Sequence, residues 1–208
     1  MKQRLAYGIF LLILSTVIPT LVQAQFRLLS TPVGVDLTSV YFSDNRVGFA
    51  GGMNGTLVKT TDSGDNWFDI SIGGKKSITG IYFVSADTGF IIGESGTFLK
   101  TNDGGHSWNE IDHGLEVDFS AIDFIDSKTG FVIGYGMEGG VFLKTGDGGK
   151  NWTHRLITAH DNTFMPTEKS SVKDIYLTCF SFYDKNAGVL AGFSYDYSIG
   201  KFPFICKT

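Results

Sequence analysis

The sequence predicts an all-β protein, specifically a β-propeller of four-stranded antiparallel blades. Three observations lead to this prediction. A nine-residue stretch, Lys100–Trp108, recurs at a period of about 40 residues, as Lys59–Trp67 and Lys144–Trp152, and holds all 3 tryptophans. The composition is rich in glycine (27) and phenylalanine (18) and poor in charge (18%). No segment keeps a helical period, and several short strands in each period are typical of a propeller blade.

The first segment of the chain has the features of an export signal. Lys2 and Arg4 precede an apolar run over residues 9–22, and small residues stand where a signal peptidase reads. We therefore expect a signal peptide over residues 1–24, with cleavage after Ala24. An uncleaved membrane anchor is the alternative, although Pro19 weakens a spanning helix. The expected signal peptide predicts a secreted, periplasmic or cell-surface protein.

The charge of the chain bears on the kind of partner. The formal net charge is −4, and it becomes −6 when Lys2 and Arg4 leave with the signal peptide. Because phosphate binding needs a basic surface, a nucleic-acid partner is disfavoured.

The repeats come into register when they are aligned on Phe42, Phe83, Phe124 and Phe182. A glycine stands six residues after each of these positions, and another stands four residues later. The alignment places the blades at about 37–70, 77–111, 118–157 and 175–208. In the second blade it predicts strands over 78–84, 90–93, 97–101 and 108–111.

The repeated stretch falls in the turn between the third and fourth strands. We expect Asp103 to accept backbone N–H groups in this turn, Gly105 to supply its shape, and Trp108 to pin the outer strand. The pattern resembles the Asp-box of sialidase-like propellers, whose positions are occupied by Thr60, Asp62, Gly64, Trp67, Thr101, Asp103, Gly105, Trp108, Thr145, Asp147, Gly149 and Trp152.

A narrower resemblance comes from the Lys-Thr before each turn and from the Gly-Phe columns. Together they resemble the photosystem II assembly and stability factor family and its secreted bacterial relatives, from about Phe26 to the C-terminus. The resemblance implies a propeller scaffold that helps to assemble or stabilise a membrane protein complex.

The two ends of the repeat array are complementary. Residues 26–29 have the spacing of a fourth strand whose own first three strands are missing. Residues 202–208 have the spacing of a third strand that no fourth strand follows. We expect residues 26–29 to complete the last blade and so protect its edge. The array is then either a closed ring of four blades or, as we favour, the front part of a longer protein with six to eight blades.

The two cysteines fall on different strands of the last blade. Cys179 lies on the first strand and Cys206 on the third, so their separation is about 9–10 Å. Because a disulfide needs Cα atoms within about 7 Å, we predict two free, buried thiols.

The loop lengths indicate where a partner binds. Insertions occur after second strands, at 135–140 and 193–201, and after the third blade, at about 158–173, so all three lie on the face opposite the repeated turns. Loops on a rigid scaffold concentrate binding residues, although tolerated insertions are the alternative. The candidate partner-binding residues are Tyr135, Met137, Glu138, His160, Asp161, Phe164, Tyr195, Asp196 and Tyr197.

Catalysis and cofactor binding have less support. Sialidases bind a carboxylate through clustered arginines, whereas the chain after residue 24 has only Arg27, Arg46 and Arg155. The histidines lack zinc spacing and no calcium loop is present, so neither a metal nor a cofactor is expected. The sequence thus favours an exported non-enzymatic scaffold that binds a protein or a surface polysaccharide. The alternative is a carbohydrate-active hydrolase that uses two carboxylates among Glu138, Asp161, Glu168 and Asp196.

Overall fold

A computed structural model describes residues 27–158, 174–196 and 200–207 and contains four β-sheets over these residues. The first sheet holds β1 (Leu37–Phe42), β2 (Gly48–Gly52), β3 (Leu57–Thr60) and β4 (Phe68–Asp69). The second holds β5 (Ile78–Phe83), β6 (Gly89–Gly93), β7 (Phe98–Thr101) and β8 (Asn109–Glu110). The third holds β9 (Val117–Phe124), β10 (Gly130–Gly136), β11 (Gly139–Thr145) and β12 (Thr153–Ile157). The fourth holds β13 (Asp174–Phe182), β14 (Gly188–Asp196) and β15 (Gly200–Lys207).

Each sheet is an antiparallel meander in which strands adjacent in sequence pair with one another. This confirms the predicted all-β propeller fold. No strand end in the second blade lies more than one residue from its predicted position. A bulge interrupts the first strand of every blade at the same repeat position, for example between Ile78 and Gly80.

The blades pack face to face in chain order, with β1 against β5, β5 against β9 and β9 against β13. The core therefore lies between blades. Phe49 and Leu57 of the first blade pack with Ile78 and Ile81 of the second, and all four are buried. Because every middle blade is covered on both faces, a short strand such as β6 is apolar and buried along its whole length.

Two predicted loops are instead extensions of hairpins. The insertion at 135–140 continues β10 to Gly136 and starts β11 at Gly139, and the insertion at 193–201 continues β14 to Asp196 and starts β15 at Gly200. Antiparallel pairing simply goes on through these residues, as Tyr135 pairs with Gly140 and Tyr195 with Lys201. The extra residues include tyrosine and phenylalanine, which favour strands.

The N-terminal segment does not complete the last blade within the chain. Arg27–Leu29, the described part of the predicted closing strand, forms no strand, and the fourth sheet has three strands among the described residues. Arg27 instead forms an ion pair with Asp65 of the first blade, 2.7 Å from Nη2 to Oδ1. The predicted closing strand is therefore not formed over Arg27–Leu29. The predicted signal peptide and Phe26 lie outside the described residues.

A closed ring of four blades is also contradicted. Such a ring would bury the outer faces of the first and last blades, yet Val40 of β1 is 64% exposed and Ile205 of β15 is 78% exposed. Within the described part of the chain, no helix has the length and hydropathy needed to cross a membrane.

The prediction of free cysteines is confirmed, but that of buried ones is wrong for Cys179, which is exposed. Among the described residues, no further blade covers this face of the fourth blade. Cys206 is half-buried among residues facing the third blade, and this burial raises the pKa of its thiol.

Candidate functional site

The repeated turns use their polar groups internally. Thr101 Oγ1 accepts the backbone N–H of Gly105 at 2.9 Å and donates to Asp103 Oδ1 at 2.7 Å. Asp103 also accepts the N–H groups of His106 at 3.0 Å and Ser107 at 2.9 Å, and the Ser107 hydroxyl at 2.6 Å. The turns at Asp62 and Asp147 repeat this pattern with an asparagine side chain as donor.

These hydrogen bonds lower the pKa of each turn aspartate. The side-chain amide of Asn66, followed by its backbone N–H and the hydroxyl of Thr60, lowers the pKa of Asp62 to about 2. The pKa values of Asp103 and Asp147 are also lowered, chiefly by the donors of Ser107 and of Asn151. All three carboxylates are therefore ionised acceptors committed to their own turns.

The same turns join neighbouring blades. The Lys59 ammonium, above the ring of Phe49, donates to Gly104 O in the turn of the next blade at 2.8 Å, and Lys100 likewise reaches Gly149 O at 3.1 Å. Trp108 meets Phe49 of the preceding blade nearly edge to face, at 89° and 6.5 Å between ring centroids. These contacts give the repeated turns a structural role.

A cleft of 840 Å³ lies beside the turn of the second blade, between Ile70 and Ile72 of the first blade and Trp108 of the second. Its one unusual feature is Trp108 Nε1, a buried donor without a hydrogen-bond partner among the described residues. Trp152 Nε1 has the same property in the next blade. We therefore attribute this feature to the repeat and not to a binding site.

The opposite face carries a cleft of 730 Å³ where the second and third blades meet the fourth. We call it the loop-face cleft, and it is lined by Lys76, Ser95, Glu116, Val117, Asp118, Tyr135, Gly136, Met137, Asp174 and Tyr176. It forms here because the first strands of the third and fourth blades begin on this face and the lengthened β10–β11 hairpin rises beside them.

Hydrogen bonds between segments hold the rim of the loop-face cleft. The N–H of Ser95, in the β6–β7 turn, donates to Asp118 Oδ1 at 2.7 Å. The Lys76 ammonium donates to the carbonyl of the same Ser95 at 2.7 Å. The β6–β7 turn, the link before β5 and the start of β9 are thus fixed relative to one another, so this wall of the cleft is preorganised.

Aromatic rings run from the cleft across the fourth blade. The ring centroids of Tyr135 and Tyr176 are 4.8 Å apart, and those of Tyr176 and Phe193 are 4.6 Å apart with the rings stacked at 14°. The Lys201 ammonium lies 3.6 Å from the centroid of Phe193. An aromatic ring on this surface therefore already carries a primary ammonium group against its face.

The cleft is acidic. Glu116, Asp118 and Asp174 contribute carboxylates, whereas Lys76 contributes the one cation among the lining residues. Burial is the main cause of the raised pKa of the Tyr135 phenol, and the negative charge of Asp118 raises this pKa further. The Tyr135 phenol therefore stays neutral near pH 7 and can donate a hydrogen bond.

The structure places the predicted binding residues as follows. Tyr135 and Met137 line the loop-face cleft, and Met137 is 98% exposed. Glu138 is exposed beside it at the hairpin turn. Tyr195 lies on β14 opposite Asp174, and Asp196 ends the same strand. His160, Asp161, Phe164 and Tyr197, together with Glu168, lie outside the described residues.

Sequence reasoning missed Asp118, Asp174 and Tyr176. These residues stand at the starts of the first strands β9 and β13, which open on the same face as the lengthened loops. The same strand parity that assigned the loops to this face would have found them if it had been extended to strand ends. Among the described residues, no group of three His, Cys, Asp or Glu side chains could hold a metal ion.

The model of a family described as photosynthesis system II assembly factor YCF48 matches residues 18–111 and 67–162, which together make up more than half of the chain. A search of curated protein sequences finds no match.

Solved structures share the fold at low identity. One is YCF48 bound to a D1 peptide, with a TM-score of 0.52 and 20% identity over 83% of this chain and 69% of that one. Another is YCF48 from Cyanidioschyzon merolae, with a TM-score of 0.60 and 17% identity over 84% of this chain and 58% of that one. A third is an ancestral GH74 enzyme, with a TM-score of 0.57 and 14% identity over 83% of this chain and 24% of that one. At these identities the likeness shows the fold alone.

Proposed function

The chain belongs to the photosynthesis system II assembly factor YCF48 family, and on that premise we propose that it is an exported, non-enzymatic scaffold whose loop-face cleft binds a segment of another protein. In this role it assists the assembly or stability of a complex. The observation that carries the proposal is the convergence of Tyr135, Tyr176 and Met137 with three carboxylates in one cleft.

The lining of the cleft is suited to a peptide. Tyrosine and methionine are enriched in protein-binding surfaces, where rings supply contact area at a low cost in conformational entropy. Three of the strands and turns around the cleft are already held by hydrogen bonds, which lowers the ordering cost of binding. One solved YCF48 holds a peptide, and this chain shares that fold.

The charge of the cleft selects the kind of peptide. Glu116 is exposed at the rim, and Asp118 and Asp174 are half-buried beside it. A lysine or arginine side chain entering the cleft would meet these carboxylates and the faces of Tyr135 and Tyr176, as Lys201 already meets Phe193. We therefore propose that the bound segment is basic.

The experiment uses residues 25–208 and a phage-displayed library of random nonapeptides. Panning on the wild-type protein is expected to enrich lysine and arginine. The affinity of the best peptide is then measured by fluorescence polarisation. Tyr135→Ala should weaken binding about 10-fold, as expected when a central interface residue is lost, and Glu116→Gln, which removes an exposed charge at the rim, should weaken it less.

Glu110→Gln is the matched control, because Glu110 is an exposed glutamate on the outer strand β8. Its binding should equal that of the wild type. Enrichment of acidic peptides, or equal affinity of wild type and Tyr135→Ala, would contradict the proposal. Binding of neutral surface polysaccharides that Tyr135→Ala abolishes would assign the cleft to a glycan instead.

A further inference from the structure

Opposite charges are separated along the loop-face cleft. Lys76 stands at one end, in the link before β5, and its ammonium donates to Ser95 O at 2.7 Å. The N–H of the same Ser95 donates to Asp118 Oδ1 at 2.7 Å, and Asp118 pairs across the sheet with Tyr135. The ring of Tyr176 follows, with its centroid 4.8 Å from that of Tyr135. The cleft therefore runs from a cation, past a carboxylate, to two aromatic rings.

The position of Lys76 is fixed from both sides. Its carbonyl accepts the N–H of Gly55 in the first blade at 2.8 Å. The N–H of the next residue, Ser77, donates to Glu94 Oε2 in the second blade at 3.1 Å. Because the backbone is tied to two blades and the ammonium to Ser95 O, the charge of Lys76 has a defined place at the rim of the cleft.

The ammonium of Lys76 can bind a further acceptor. An ammonium group has three N–H donors, and the one hydrogen bond of Lys76 Nζ to the described residues is with Ser95 O. It forms no ion pair with a carboxylate in the part of the chain that the structure describes, and Lys76 is exposed. A carboxylate of a bound segment can therefore reach this ammonium without displacing a partner.

Asp118 offers the complementary charge. Its Oδ1 accepts the N–H of Ser95, whereas its Oδ2 accepts no hydrogen bond from the described residues. The side chain is half-buried in the cleft that Tyr135 also lines. A lysine or arginine side chain of the bound segment would meet this carboxylate and the face of the Tyr135 ring.

The distance between the two charges follows from the hydrogen bonds that join them. Lys76 Nζ and Asp118 Oδ1 are both bonded to the backbone of Ser95, so they are at most about 9 Å apart. Side chains two residues apart in an extended peptide lie on the same side of the chain, about 7 Å from one another. The two charges thus match an acidic and a basic side chain that one residue separates.

We infer that the segment bound in the loop-face cleft carries an acidic side chain that binds Lys76, two residues from the basic side chain that binds Asp118 and Tyr135. This specificity rests on the proposed function of the cleft and narrows the partner to one class of basic segment. Lys76 selects within that class, because a second basic residue at its position would meet a like charge.

The test uses residues 25–208 and the library of random nonapeptides, panned separately on the wild type, Lys76→Glu and Lys75→Glu. Lys75→Glu is the matched control, because Lys75 is an exposed neighbouring lysine that does not line the cleft and its replacement changes the net charge equally. The wild type and Lys75→Glu should both enrich aspartate or glutamate two positions from the lysine or arginine. Lys76→Glu should enrich lysine or arginine at that position instead.

Affinities measured by fluorescence polarisation complete a charge-swap cycle. Lys76→Glu should bind the best wild-type peptide at least about 10-fold more weakly than the wild type does. Replacing the acidic residue of this peptide by lysine should weaken its binding to the wild type and restore its binding to Lys76→Glu. If Lys76 served only to hold Ser95, the Lys76→Glu variant would bind both peptides weakly.

Three outcomes would overturn the inference: basic peptides selected on the wild type without the acidic residue, an equal loss of affinity in Lys75→Glu, or a loss in Lys76→Glu that the lysine-substituted peptide does not restore. In each case the wild type still binds basic peptides, so the proposed function stands. Absence of basic enrichment on the wild type would overturn the proposed function as well. Circular dichroism of both variants, expected to match the wild type, separates a change of specificity from loss of the fold.

Discussion

The rings of Trp152 and Phe90 meet at 86°, with 5.9 Å between their centroids, although the two residues belong to different blades. Trp152 closes the repeated turn of the third blade, and Phe90 lies on β6 of the second. The most recognisable sequence motif of the chain therefore joins each blade to the one before it.

This relationship predicts unequal effects of removing the tryptophans. Trp152→Ala removes contacts with Phe90, Phe98 and Phe124, and should lower the free energy of unfolding by about 3 kcal/mol. Trp67→Ala is the matched variant, and its ring contact is with Phe42 of its own blade. Trp67→Ala should lower the free energy of unfolding by less than Trp152→Ala does. Urea unfolding followed by circular dichroism measures both losses. Equal losses would contradict the role of the turn in joining blades.

The glycines of the repeated turns give a finer comparison. Gly149 and Gly64 both have positive φ, at +73° and +92°, so alanine strains both backbones. A Cβ on Gly149 would also lie 2.2 Å from Phe90 Cζ, whereas the nearest atom at Gly64 is 3.6 Å away. Gly149→Ala should therefore be more destabilising than Gly64→Ala by about 1–3 kcal/mol, the usual cost of overpacking. Thermal unfolding measures the difference, and the reverse order would refute this explanation.

Tyrosine hydroxyl groups also join blades. The Tyr82 hydroxyl donates to Phe124 O at 3.1 Å, across the boundary between the second and third blades. Tyr82→Phe leaves this half-buried carbonyl without that donor and should lower the free energy of unfolding by about 0.5–1.5 kcal/mol. Tyr183→Phe is the control, because Tyr183 is 65% exposed, and its unfolding curve should coincide with that of the wild type.

The turn aspartates predict a dependence of stability on pH. The pKa of Asp62, Asp103 and Asp147 is lower in the folded protein than the value of about 3.9 expected in the unfolded chain. Their contribution is therefore complete above pH 4 and is lost as the pH falls through the folded pKa, which is about 2 for Asp62. The urea concentration at the unfolding midpoint should decrease as the pH is lowered from about 4 to about 2. A variant with all three aspartates changed to asparagine should lose less over this interval, and an equal loss would contradict the assignment.

The sequence was sufficient to predict the blades, because the Phe and Gly columns recur at positions where a strand must pack against both neighbours. It was not sufficient to predict the exposure of Cys179, which depends on whether another blade covers the fourth one. Nor did loop length distinguish an insertion from a longer hairpin, since pairing of Tyr135 with Gly140 depends on the register of the whole sheet.

The candidate site was predicted only in part, because some of its residues come together only through the packing of neighbouring blades. Tyr135 and Met137 were found because the hairpin that carries them is longer than its equivalents. Asp118 and Tyr176 belong to strands of ordinary appearance, and they reach the cleft because the third and fourth blades place the starts of β9 and β13 side by side.

The central claim is that the loop face, and not the face of the repeated turns, binds the partner. Site-specific photo-crosslinking tests it most directly. Benzoylphenylalanine replaces Met137 in one variant and Lys150 in another; both residues are exposed, Met137 beside the loop-face cleft and Lys150 in a repeated turn. Each variant is irradiated with the basic nonapeptide selected on the wild type, and adducts are measured by mass spectrometry. We predict a covalent adduct at position 137 and none at position 150. An adduct at 150 without one at 137 would contradict the assignment of the binding face.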